Sequence, residues 1–125
     1  MKYKNIKIII AFDIGLKNIG IAIGNTLIKK SRPLLTIKNC NIKKTFKKIK
    51  LIIKTWKPNY FIIGIPYIKS NIYKYCINFS KKLFLHFKLK IKKINENYSS
   101  IIIKKKKKKD SKSASLILQQ YFYNI

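Results

Sequence analysis

The 125 residues carry 30 lysines and arginines against three acids and a single histidine, a formal net charge of +27. A chain of this length predicts one domain, residues 1–125, with a single core of about five strands and a few helices. Two distant cysteines with no CxxC spacing, a lone histidine and no GxxxxGK[ST] loop exclude a disulfide scaffold, a zinc cluster, Cys–His or paired-histidine chemistry and a P-loop ATPase.

In chain order, the apolar, β-branched run at 8–12 predicts a strand covered on both faces, with Asp13 at its tip. After a turn through Asp13, Ile14, Gly15, Leu16, Lys17, Asn18 and Gly20, the residues Ile19, Ile21 and Ile23 alternate with Gly20, Ala22 and Gly24. That pattern predicts a second strand with one heavy face and one face that other backbone can approach closely. Leu34, Leu35 and Ile37 behind Pro33 predict a short edge strand. Ile42, Phe46, Ile49, Ile53 and Trp56 recur at helical spacing, with Asn41 as N-cap and Pro58 beyond the end. Residues 60–65 form the second fully apolar strand, stopped at Pro66. A helix between two buried strands predicts a right-handed crossover and a parallel pair.

Ser70 or Asn71 opens a second helix with the stripe Ile72, Cys76, Phe79, Leu83 and Phe87, ending near Lys88. Leu89, Ile91 and Ile94 predict a last strand closed by Asn95, Glu96 and Asn97. After six consecutive lysines comes Asp110, and 111–123 has a helical pattern that Asp110 would cap. The order β-β-β-α-β-α-β-α predicts a mixed sheet opening with an antiparallel hairpin, and ligands of such sheets gather at the carboxyl ends of the parallel strands.

Arg32 is the sole arginine, valine is absent and Ile and Asn abound, so drift toward an A- and T-rich genome accounts for much of the charge. Whatever its origin, the field attracts polyanions, and association with them is steep in salt. Small acidic metabolites are drawn as well, so charge names no substrate. Against this background Asp13, Glu96 and Asp110 stand out as the only acids. Converging carboxylates repel one another unless a cation sits between them, and Mg²⁺ suits hard oxygen donors and phosphate substrates. Six like charges at 104–109 ordinarily form a solvated loop. Cys40 and Cys76 are expected as buried or half-buried free thiols, and His86 as a packing residue. No uncharged stretch, 58–68 included, is long enough to span a membrane, and Met1 leads into a strand with no cleavage site, so a cytoplasmic location is expected.

The ordered set D-I-G-L-K-N-I-G-I-A at 13–22, G-I-P at 64–66, N-E-N at 95–97 and D-S-K-S-A-S-L-I-L-Q-Q-Y-F at 110–122 resembles the YqgF family over nearly the whole chain. The resemblance implies a ribonuclease H-like α/β fold, a five-stranded mixed sheet with helices on both faces. It implies a metal-dependent endonuclease on structured RNA that matures the 5′ end of pre-16S ribosomal RNA. The alternatives are a resolvase of Holliday junctions, which are branched DNA, and a non-catalytic RNA-binding ribosome assembly factor. Matched to the family's motifs, Asp13, Glu96 and Asp110 are the catalytic residues and the ligands of Mg²⁺ or Mn²⁺. Lys17 and the run Lys104, Lys105, Lys106, Lys107, Lys108 and Lys109 place the phosphates. Implied partners are the ribosomal RNA precursor and the pre-30S particle, with no membrane, for a monomer or weak homodimer. The chain departs from the family in reading N-E-N for D-E-R, in its short interval from Glu96 to Asp110, and in a trimmed loop after Pro66. Reading 13–20 instead as the phosphate loop of a sugar kinase or actin-like ATPase requires a second D-x-G loop and a far longer chain.

Overall fold

The computed structural model describes residues 5–66, 70–95 and 111–125. Five strands and three helices follow one another as β1 (Ile8–Ile14), β2 (Asn18–Asn25), β3 (Ser31–Lys38), α1 (Ile42–Trp56), β4 (Tyr60–Ile65), α2 (Asn71–Phe87), β5 (Lys90–Asn95) and α3 (Ser111–Tyr123). The sheet order is β3-β2-β1-β4-β5: β1 is antiparallel to β2, β2 to β3, and the β1–β4 and β4–β5 pairs are parallel. The two apolar runs thus occupy the centre, where both faces are covered, as continuous hydrophobicity demands.

Strand alternation divides the core into two layers. Ile10, Phe12, Ile14, Ile19, Ile21, Ile23, Phe61, Ile63 and Ile65 pack against α1 and α2 through Phe46, Ile49, Cys76, Phe79 and Leu83. Ile9, Ala11 and Ile62 pack on the opposite face under Ile117, Leu118, Tyr121 and Phe122 of α3. The small face of β2 is where α3 comes close: a Cβ at Gly24 would meet the Phe122 ring at 2.8 Å. The edge strand β3 is longer than its apolar residues predicted, and its pairing with β2 shifts register between Ile21 and Ala22, where Pro33 pairs with Ala22.

Helix α1 starts as its sequence predicts, the Asn41 side chain accepting from Lys44 N at 2.9 Å. Its buried face is rotated from the expected stripe: Thr45, Phe46, Ile49 and Ile52 are buried, whereas Ile42 is exposed and Ile53 and Trp56 only half-buried. Thr45 tolerates burial because its hydroxyl accepts from Cys40 N at 3.1 Å. Both α1 and α2 end on a left-handed lysine, Lys57 and Lys88, a conformation that usually selects glycine.

One expectation is corrected, that for Cys40, and one, the packing role of His86, holds at the surface. Cys40 is exposed rather than buried, since it lies in the connection between β3 and α1; Cys76 is buried, and both thiols are free. His86 is an exposed residue of α2 whose ring meets Phe46 edge-on at 4.7 Å, so it covers the rim of the core instead of filling it. Among the described residues no helix is long and apolar enough to cross a membrane.

Candidate active site

Asp13 is fully buried at the carboxyl end of β1, on the face that carries Ile9 and Ala11. Its antiparallel partner is Gly20, and Gly20 in turn pairs with Thr36 of β3. One step beyond the Phe12–Ile63 pair, Gly64 of β4 stands on its other side. The carboxylate is therefore flanked on both neighbouring strands by residues without side chains.

Helix α3 is held above this row at both ends. Near its C-terminus Phe122 covers Gly24, and Tyr121 reaches the Tyr60 hydroxyl at 2.8 Å. Midway, Ser31 Oγ meets Ser115 Oγ at 2.7 Å, and Gln119 Oε1 accepts from Ser31 N at 3.0 Å. At its start, Ser111 N donates to Thr36 Oγ1 at 2.9 Å. The row Thr36–Gly20–Asp13 thus runs beneath the first turn of α3, whose macrodipole favours negative charge nearby. Ser113 and Ala114 of that turn are buried.

Asp13 is the only side-chain carboxylate among the described residues. Glu96, Asp110 and Lys104 to Lys109 lie outside them. Asn95 ends β5 opposite Ile65, on the strand two positions from β1, a backbone separation of about 10 Å. Lys17 is exposed in the β1–β2 turn, close in sequence to Asp13.

The structure adds residues that periodicity does not single out. Asn39, at the end of β3, donates from its backbone to Lys17 O at 2.8 Å and from its side chain to Gly15 O at 2.8 Å. On the α3 face, Lys92 Nζ donates to the Tyr121 hydroxyl at 3.0 Å and lies 5.0 Å from the Tyr60 ring centroid. Burial, then the bond to Tyr121, pushes the Tyr60 hydroxyl well above the usual tyrosine value. Burial also acts to raise Tyr121, but the hydrogen bonds with Lys92 and Tyr60 and the charges of Lys92 and Lys90 outweigh it and bring Tyr121 down.

The chain resembles solved nucleases in its backbone. T. thermophilus RuvC in complex with Holliday junction substrate superimposes with a TM-score of 0.64 at 10% identity, covering 94% of each chain. Fowlpox virus resolvase in complex with Holliday junction DNA gives 0.56 at 21% identity, over 94% of this chain and 97% of that one. These likenesses establish the ribonuclease H-like α/β fold. In sequence, a protein of Paraburkholderia xenovorans (strain LB400) named "Putative pre-16S rRNA nuclease" is 34% identical over 97 residues. A protein of the same name from Burkholderia mallei (strain SAVP1) is 32% identical over 97 residues. Each match takes in 74% of this chain and 66% of the relative's own length, just under two thirds. Residues 7–124 match the family described as RuvX, Holliday junction resolvase. The strand-end aspartate lies within that span and the sheet is the one found in resolvases; the chain belongs to the RuvX (YqgF) family.

Proposed function

We propose that the chain is a divalent-metal-dependent endonuclease acting on structured RNA, maturing the 5′ end of the small-subunit ribosomal RNA precursor in the cytoplasm. The observation that carries this reading is Asp13: a fully buried carboxylate at a carboxyl-terminal strand edge, between two glycines and under the start of a helix. A buried carboxylate is costly unless charge or hydrogen bonds compensate it, and a bound cation is one such compensation. Asp110 immediately precedes Ser111, the residue bonded to the Asp13 row, and Glu96 directly follows Asn95, the last residue of β5, in sequence. The three acids of the chain are the proposed ligand set, a hard-oxygen group suited to Mg²⁺ or Mn²⁺. When bound, such an ion supplies an acidified water and neutralises charge on the scissile phosphate. Water attacks phosphorus and the 3′ oxygen leaves, giving 5′-phosphate and 3′-hydroxyl ends. Lys17, at the tip of the turn beside Asp13, contacts the phosphate backbone, with Lys104 to Lys109 as further contacts. The relatives named for pre-16S rRNA favour this substrate, and the pre-30S particle is the setting in which it occurs.

A second reading is a resolvase of four-way DNA junctions, favoured by the description of the family. The test assays purified protein with Mn²⁺ on a 5′-extended ribosomal RNA precursor and on a four-way junction, beside the variant Asp13→Asn. Cleavage of the RNA that falls by about 10³-fold in the variant, with binding retained, is the expected result. Preferential cutting of the junction selects the resolvase. Undiminished cleavage by Asp13→Asn removes Asp13 from the chemistry, and binding without cleavage at any divalent ion leaves a ribosome assembly factor.

A further inference from the structure

The turn between β1 and β2 follows Asp13 directly, yet its own side chains do little to fix it. Leu16 is 64% exposed, and Lys17 is exposed as well. One internal bond closes it, Gly15 N to Asn18 O at 2.9 Å. A further restraint comes from a residue 24 positions beyond Gly15. Asn39 donates its backbone N–H to Lys17 O at 2.8 Å, and its amide Nδ2 to Gly15 O at 2.8 Å and to the Tyr75 hydroxyl at 2.6 Å. Two carbonyls of the turn are thus held by one residue, and both side-chain amide hydrogens of that residue are committed. Asn39 is itself fixed, its Oδ1 lying 3.4 Å from the buried Thr45 hydroxyl. Tyr75 is half-buried on α2, its ring 6.1 Å from that of Phe79 in the core.

We propose that Asn39, braced by Tyr75, is a positioning residue of the site: a hydrogen-bond chain from α2 through Asn39 to Gly15 and Lys17 sets the strand end that carries Asp13. The inference rests on the nuclease reading of Asp13. A carboxylate that would hold a catalytic cation works only within a few tenths of an ångström, and rigid elements hold such geometry better than free turns. Asn39 and Tyr75 supply that rigidity from behind the turn, because they contact backbone carbonyls and leave the Leu16 and Lys17 side chains free toward solvent. Tyr75 acts only through Asn39, so the two residues form one unit and their losses are not additive.

The test compares Asn39→Ala, Tyr75→Phe, the double variant and Asp13→Asn in single-turnover cleavage with Mn²⁺. Hydrogen exchange is followed across residues 13–18, and thermal melts show that each protein is folded. Tyr75→Phe keeps the ring against Phe79, so it folds even if Asn39→Ala does not. Asn39→Ala is expected to lower kcat by about 10- to 100-fold with KM changed less than about twofold, the scale of a misplacement near 1 Å. Tyr75→Phe lowers kcat less, the double variant matches Asn39→Ala, and exchange across 13–18 rises in all three. If Asp13→Asn is inactive while Asn39→Ala and Tyr75→Phe keep wild-type kcat and exchange, the positioning role is wrong and the nuclease reading stands. If Asp13→Asn still cleaves, the reading of Asp13 fails. Where the wild type itself does not cleave, unchanged exchange in Tyr75→Phe still overturns the clamp.

Discussion

Thr36 on the edge strand and Asp13 on the central strand share one row of the sheet, joined through Gly20, and Thr36 Oγ1 accepts the backbone N–H of Ser111 at 2.9 Å. A hydrogen-bond partner for the first N–H of the last helix is therefore supplied by a strand 75 residues earlier. The same row fixes where that helix begins and where the buried carboxylate lies.

Thr36→Val keeps the shape of the side chain and removes the acceptor. It is expected to cost about 1 kcal/mol in urea unfolding, to speed amide exchange at the start of α3 and to reduce cleavage. Exchange at Ser111 matching the wild type would show that the bond does not hold the helix.

Gly24→Ala places a methyl group 2.8 Å from Lys30 O and 2.8 Å from the Phe122 ring. Backbone cannot yield cheaply, so overpacking costs about 1–3 kcal/mol, read as a lower denaturation midpoint with an unchanged m-value. A change of that size at Gly24, remote from Asp13 along β2, leaves the rate of the chemical step alone once the protein is folded.

The Tyr60–Tyr121–Lys92 group predicts a pH signature. Folding lowers the Tyr121 value, so its contribution is present above the ordinary tyrosine value of about 10 and is lost as pH falls through the lower folded value. Folding raises Tyr60, so its contribution is present below about 10 and is lost as pH rises through the higher folded value. The two hydroxyls titrate as a pair. Ultraviolet titration of the folded protein should show one phenol ionising early and one late. Tyr121→Phe should remove the early step and Lys92→Met should delay it; an early step that survives Tyr121→Phe assigns it elsewhere.

Much of the fold is legible because it rests on local periodicity. The runs Ile8 to Phe12 and Tyr60 to Ile65 announce central strands, and the glycine and alanine face of β2 announces the close approach that Phe122 makes. The Asn41 cap is equally local. Periodicity fails where a polar partner decides burial: Thr45 is buried because Cys40 N needs an acceptor, and no spacing rule finds it. His86, expected as a packing residue, does pack edge-on against Phe46, but from the exposed rim of α2. At the candidate site, Asp13 was legible as a carboxylate ending an all-apolar strand. Asn39 and Tyr75 were not, since a bond spanning 36 residues between an amide and a phenol leaves no trace in local pattern. Glu96 and Asp110 rest on the motifs that carry the family resemblance.

The kinked pairing of β3, with Pro33 opposite Ala22, bears on how the molecule behaves when crowded. A proline and a register shift on an outermost strand spoil the ladder of free N–H and C=O groups that a second copy would need to extend the sheet. The opposite border, β5, carries Lys90, Lys92 and Lys93, whose mutual repulsion discourages stacking there. A chain that is 47% hydrophobic thereby guards each flank by a separate device, and replacing Pro33 with a β-branched residue would open a route to fibrous self-association.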